Sequence, residues 1–340
     1  MTANSPPVGH LAILVVYLVR DDDSDLGLLQ LHLDRIAHHT HVPYTLYATT
    51  HRTTERAQAL IAGAPNVVVC QTATTEERGS REHAYYLDTM AARALADGAD
   101  YIVTLDQDSF PIVDRWIEVL TDSMPVASGV AGVLRVENGD VALPHPSCTL
   151  VRRDFFERYA PSYSPDSDFT PEFRTFLHTT GQAGDTGIRF AYILWAQDLA
   201  WGQVLRSNVV NEHYLIAGIY GDVVFHLGAG TRSTLFRADL KRSFAHRVSR
   251  PIELLRPRRR SMRQLKRRVL ALIRSRSEQR INAKNQDAAQ RLREWLLDDS
   301  DQLVGFLQGQ PPQAGWPAWA RDRGSGSGTS AGEHQRRNPR

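Results

Sequence analysis

Two aspartates one residue apart, Asp106 and Asp108, end an apolar run in the stretch YIVTLDQDSFP, residues 101–111. Alternate residues of an extended chain face the same way, so both carboxylates point together if the extension continues. Carboxylates held that close repel each other unless a proton or a cation lies between them. A divalent ion with oxygen ligands is the natural partner. Mg²⁺ in particular is held by one or two carboxylates plus substrate phosphates. Such an ion neutralises the charge that develops on a departing diphosphate. A solvated turn, or a helix cap before Pro111, is the plainer reading of the same pair. A calcium loop of the EF-hand kind is excluded, because Pro111 stands where its glycine is required.

The elements around the pair say where it sits. LAILVVYLV (11–19), VPYTLYAT (42–49), NVVVC (66–70) and DYIVTL (100–105) read as strands. Between them, 26–39, 53–63 and 80–98 carry apolar residues at helical spacing. PIVDRWIEVLTDSM (111–124) reads as a helix with proline in its first turn. Continuous apolar strands alternating with helices predict an α/β fold with a mostly parallel sheet covered on both faces. Such sheets bind ligands beyond the carboxyl ends of their strands, which is where Asp106 and Asp108 fall. Further on, VASGVAGVL, CTLVRR and DVVFHL are strand-like, 162–173 is a polar loop, and 185–202 looks helical. Residues 261–298 predict a long basic helix. The expected organisation is a domain over 1–250, a basic helical extension over 251–300 and a flexible tail over 301–340.

GADYIVTLDQDSFP resembles the metal-binding segment of inverting family 2 glycosyltransferases of the GT-A fold, and is most similar to rhamnosyltransferase-like members. The resemblance spans roughly residues 10–235 and is specific in this segment and in VVFHLGAGTRS (223–233). It implies a GT-A-like, Rossmann-like architecture. It implies that Asp106 faces the ribose and metal, that Asp108 coordinates the metal, and that His226 completes the shell. A mixed oxygen and nitrogen shell points to Mn²⁺ over Mg²⁺; a core histidine is the plain alternative for His226. The resemblance also places a general base at a helix start, where GQAGDTGIRFAYIL offers Asp185. Asp is equally a favoured helix cap. Asp198 and Glu172 are weaker candidates, and the common Glu-Asp form of this motif is absent.

Donor contacts implied by position are Asp21, within the acidic run Asp21–Asp23, then Thr49 with Thr50, and His83 with Asp88 on the helix before the metal strand. Arg232, in the turn GAGTRS, is a candidate phosphate partner. That turn fails the dinucleotide-binding G-x-G-x-x-G pattern, since Ser233 replaces its third glycine. Trp195 and Trp201 are candidates for an acceptor platform or for core. His38, His39 and His41 have no complementary cysteine or carboxylate in sequence and read as a helix end.

Charge divides the chain. Residues 1–250 hold 21 Arg/Lys and 29 Asp/Glu, whereas 251–340 hold 19 and 9. Three of the 40 basic residues are lysine, a bias that fits a high-GC bacterial genome. Between Arg256 and Arg280 stand eleven Arg/Lys, with Met262, Leu265, Val269 and Leu272 at helical spacing. A basic amphipathic helix suits an anionic membrane surface; a docking helix with a solvated basic face is the alternative. Aromatic interleaving is missing, so nucleic acid is not expected. The nine-residue run 11–19 is too short to span a bilayer and lacks signal-peptide flanks. Two cysteines without metal-like spacing fit a cytoplasmic protein, peripheral at most to the inner membrane face.

The expected activity is transfer of a sugar from a UDP- or dTDP-type donor to a hydroxyl on a glycan, lipid-linked or small-molecule acceptor, with Mn²⁺ or Mg²⁺ as cofactor. A nucleotidyltransferase is the first rival, although the acidic VRDDDSDLG stands where it needs a basic, glycine-rich phosphate loop. A non-catalytic nucleotide-sugar-binding scaffold is the second.

Overall fold

The computed structural model describes residues 9–19, 23–165, 170–228, 236, 239–240, 243–255 and 260–324. Strand β1 (Leu11–Val19) shows why the chain forms layers. Its side chains alternate between two apolar clusters instead of between core and solvent. Leu11, Ile13, Val15, Tyr17 and Val19 pack with residues of helices α1 (Asp23–His39), α2 (Glu55–Gly63) and α4 (Trp116–Ser123). Ala12 and Leu14 pack with α3 (Ser80–Ala96), α5 (Arg153–Tyr159) and α7 (Ile188–Ala196). A strand buried on both faces must lie inside a sheet.

The main sheet has the order β3–β2–β1–β4–β7–β6–β8. Its other strands are β2 (Tyr44–Thr53), β3 (Val67–Val69), β4 (Tyr101–Leu105), β6 (Val130–Val133), β7 (His145–Arg152) and β8 (Gly202–Val204). β7 is antiparallel to both neighbours and the remaining pairs are parallel. The reading of a mainly parallel sheet flanked by helices is borne out. Among the described residues no helix is long and apolar enough to cross a membrane.

The chain departs from the sequence reading after Leu105. Residues 109–111 form a strand, β5 (Ser109–Pro111), and helix begins only at Trp116. β5 pairs antiparallel with β10 (Val224–His226), which also pairs with β9 (Gly218–Tyr220). Pro111 ends its strand, where no ladder N–H is needed from it. The helix expected over 185–202 is shorter, Ile188–Ala196, because Gly187 adopts a left-handed conformation before it.

The expected long helix is present as α9 (Arg260–Asp298), preceded by α8 (Phe244–Leu254) and followed by α10 (Ser300–Leu307) and α11 (Ala318–Gly324). The stretch from 300 to 320 is not the tail expected from 301. Leu303, Phe306, Leu307, Trp316 and Ala320 are buried with Leu292, Trp295 and Leu296 against Phe110, Ile219 and Phe225 of the small sheet. Asp299 caps α10 by accepting from the Gln302 N–H at 2.9 Å. Ion pairs Arg293–Asp25 (2.5 Å) and Arg35–Asp301 (2.6 Å) tie these helices to α1.

Candidate functional site

The carboxyl ends of β1, β2 and β4 open on one cleft of about 1150 Å³, its open mouth included. Asp106 follows β4, and the chain turns at once: the Ser109 N–H donates to the Asp106 carbonyl at 2.8 Å. The two carboxylates are brought together by this turn, not by continued extension. Gln107, between them, accepts from the Leu18 N–H at 2.5 Å and so pins the turn to the end of β1. His32 lies beneath it, 3.0 Å from the Tyr17 hydroxyl. Burial pushes His32 down to about 4, against the opposing pull of the Ser109 and Asp106 backbone, so it supports the turn as a neutral ring.

β10 delivers the third group. Register pairing sets His226 opposite Ser109, one residue past Asp108. His226 Nε2 lies 3.7 Å from Asp106 Oδ2 and 3.5 Å from Asp108 Oδ1. One ligand atom from each of the three lies within 4.8 Å of the others. Ligands about 2.1 Å from a common ion stand about 3.0 Å apart when adjacent and about 4.2 Å apart when opposite. The observed spacings therefore suit a single divalent ion. Asp108 and His226 are buried and Asp106 is half-buried, which leaves one side of the group toward the cleft. The helix-cap reading of the aspartates fails, because strand follows them.

Thr49 and His83 line the same cleft, and His83 Nε2 is 3.8 Å from Asp106 Oδ1. Five of the residues singled out in sequence thus converge here. Asp21 and Arg232 lie outside the described residues. Asp185 is not a lining residue of this cleft. Its Oδ1 accepts from the Ser80 hydroxyl (2.7 Å) and the Thr186 N–H (2.8 Å). Ser80 opens α3 and follows Gly79, which lines the cleft. Ser80 and Gly184 line a second cleft with Arg78, Phe173 and Leu177. Asp185 itself lines neither cleft; it is bonded to Ser80 and adjoins Gly184, both of which line the second. Asp198 follows helix α7 instead of lying within it, and Glu172 is exposed in the first turn of α6 (Pro171–Thr180). Asp88 is structural: its carboxylate accepts from the Ser162 hydroxyl and the Tyr163 N–H at 2.6 and 2.8 Å. Trp195 is part-exposed beside Phe176 and Tyr192, whereas Trp201 packs against the core.

Several cleft residues escaped the sequence reading. His51 stacks on Tyr86, ring centroids 4.8 Å apart, and Arg52 pairs with the buried Glu82 at 2.9 Å. Arg135 is held by Asp140 at 3.0 Å. His145 stacks on His226 at 6.1 Å, and its Nδ1 accepts from the Ser147 N–H at 3.1 Å, so Nε2 carries its proton. The signal for His51 and Arg52 was available, because β2 runs parallel to β1 and β4 and brings its carboxyl end to the same edge of the sheet. Nothing local marks Arg135 or His145.

A second histidine group lies at the end of α1. A carboxylate is present after all: Asp114 meets His39 Nδ1 at 2.8 Å and His41 Nε2 at 3.4 Å. His38, His39 and Asp114 also place ligand atoms within 4.8 Å of one another. Arg35 stands 3.4 Å from His39 Nε2, a fixed positive charge that disfavours a cation there. Burial holds His39 below the usual imidazole range, opposed by the Asp114 hydrogen bond. The group acts as a helix end.

No protein family and no curated protein matches the chain. Among solved structures it is similar to the mannosyltransferase PcManGT from Pyrobaculum calidifontis in complex with GDP-Man and Mn²⁺, at 11% identity over 87% of this chain and 78% of that one, with a TM-score of 0.40. It is also similar to the galactosyltransferase LgtC in complex with donor and acceptor sugar analogs, at 11% identity over 58% of this chain and 73% of that one, with a TM-score of 0.35. The functional reading accordingly rests on the side chains of the cleft.

Proposed function

We propose that the protein is a metal-dependent, inverting glycosyltransferase with a nucleotide-diphosphate sugar donor of UDP or dTDP type. One observation carries this reading. Asp106, Asp108 and His226, from chain segments more than 100 residues apart, meet at ligand spacing on the floor of a cleft beyond parallel strands. They would hold Mn²⁺ or Mg²⁺, and the mixed donor set favours Mn²⁺. The bound ion would supply charge neutralisation for the departing nucleoside diphosphate.

The remaining roles fall to the chain's own side chains. The ends of β1 and β2, with Val16, Leu18, Thr49 and His51, form the wall for base and ribose. His83, beside Asp106, reaches the sugar–diphosphate region. Asp21 and Arg232 remain donor candidates on their positions in sequence. Asp185 is the proposed general base. Its Oδ1 already accepts two hydrogen bonds, so Oδ2 is the oxygen that takes the proton from the acceptor hydroxyl. The second cleft, with Phe173 and Leu177 beside Ser80, is the proposed approach for a glycan, lipid-linked or small-molecule acceptor.

The test is thermal shift with UDP, dTDP and GDP, each with and without Mn²⁺. One nucleotide should raise Tm in a Mn²⁺-dependent way, and Asp108→Asn should remove the Mn²⁺-dependent part while leaving the apo Tm unchanged or higher. Relief of carboxylate repulsion supplies the sign of the apo effect. A folded protein that responds to no nucleotide with either ion would overturn the assignment.

A further inference from the structure

Seven of the fifteen exposed large apolar side chains among the described residues fall between positions 244 and 272. On α8 they are Phe244 (73% exposed), Val248, Leu254 (71%) and Leu255 just beyond its end. On α9 they are Met262, Leu265 and Leu272 (80%). The two helices pack on each other: Lys266 Nζ donates to the Leu255 carbonyl at 2.7 Å, and Arg274 reaches Glu253 at 2.8 Å. Their apolar residues are therefore not waiting for one another. Met262, Leu265, Val269 and Leu272 follow helical spacing, with Arg268 and Arg276 on the same side.

α9 has two halves of different character. Its second half buries Asn285, Ala288, Leu292, Trp295 and Leu296. Its first half buries nothing and interleaves large apolar residues with Arg263, Lys266, Arg267, Arg268, Arg274 and Arg276. Over 243–255 and 261–276 the one acidic side chain is Glu253, already paired with Arg274. Seven exposed large apolar side chains on two helices packed together mark an interaction site. Its basic surround selects an anionic partner, and apolar chains among basic ones suit the headgroup–acyl boundary of a bilayer. The net charge of −8 over residues 1–250 is repelled by the same surface, so the basic end leads.

We propose that α8 and the first half of α9 dock the protein onto an anionic lipid bilayer, with Phe244, Leu265 and Leu272 entering the interface and the arginines meeting lipid phosphates. The surface stands independently of the glycosyltransferase reading.

The test is co-sedimentation of the full chain with vesicles of neutral phosphatidylcholine, or with about 30% phosphatidylglycerol added. Binding is expected to the anionic vesicles only, and to fall at least tenfold at about 0.5 M salt, where screening reaches within a few ångströms. Leu265→Glu with Leu272→Glu should reduce partitioning at least tenfold, with circular dichroism and the Mn²⁺–nucleotide thermal shift unchanged. Arg268→Glu with Arg276→Glu should do the same. Absence of binding to anionic vesicles would overturn the proposal. So would a solution dimer dissolved by the leucine variants, or retention on duplex DNA without retention on vesicles. Because the nucleotide shift is read separately, failure here and failure of the catalytic assignment are distinguishable.

Discussion

At the scale of single residues, the turn after Leu105 decides what Asp106 and Asp108 can do. It folds two carboxylates onto one imidazole, at spacings that would suit a divalent cation. Asp185 is a different case, held by Ser80 and Thr186 away from the cation group. Asp185→Asn should lower turnover at least a hundredfold, within the range of general-base loss. It should leave the Mn²⁺-dependent nucleotide shift intact; an equal loss of both would remove Asp185 from the proton-transfer role. His32 makes a pH prediction. A histidine in the unfolded chain titrates near 6.5, whereas burial holds His32 near 4 in the fold. The unfolded chain binds the extra proton between those values, so stability falls as pH drops from about 6.5 to about 4, by up to about 3 kcal/mol. His39 and His213, also held low by burial, act in the same direction. Urea midpoints between those pH values should show a shallower slope in His32→Gln than in the wild type. Identical slopes would show that other groups dominate.

At the scale of elements, the small sheet β5–β10–β9 aligns the cation group, because pairing of Ser109 with His226 fixes their distance. Strands of three residues carry too little periodicity to be read from sequence. By contrast β1 and β4 are continuous apolar runs and α3 and α9 are long helices, and each was legible. Gly228 closes β10's return with φ of +73°, and a Cβ there would meet the Leu215 carbonyl oxygen at 2.7 Å. Gly228→Ala should therefore cost about 1–3 kcal/mol through left-handed strain and backbone displacement. It should also weaken Mn²⁺ binding, since His226 is two residues away. Calorimetry with Mn²⁺ and chemical denaturation test both effects; a variant indistinguishable from wild type in each would refute the account.

At the scale of the whole molecule, the C-terminal helices cover the small sheet and so belong to the support of the site. Trp316 is buried among Trp295 and Phe306, with ring centroids 5.9 and 5.5 Å away. Trp316→Ala should destabilise by about 3–5 kcal/mol, as for other large-to-small core changes. Denaturation followed by Trp fluorescence checks this, and a loss below about 1 kcal/mol would mean that the cover is dispensable.

The amino-acid sequence alone determined the α/β class and the placing of Asp106 and Asp108 beyond a buried strand, because hydrophobic periodicity is a local property carried by each segment separately. Only the tertiary structure decided that His226 reaches those carboxylates, that Asp114 meets His39 and His41, and that Leu303, Phe306, Leu307, Trp316 and Ala320 are core. Each of those depends on contacts between segments distant in sequence, and short strands, loops and single polar side chains carry no periodic signal of the partner they will meet.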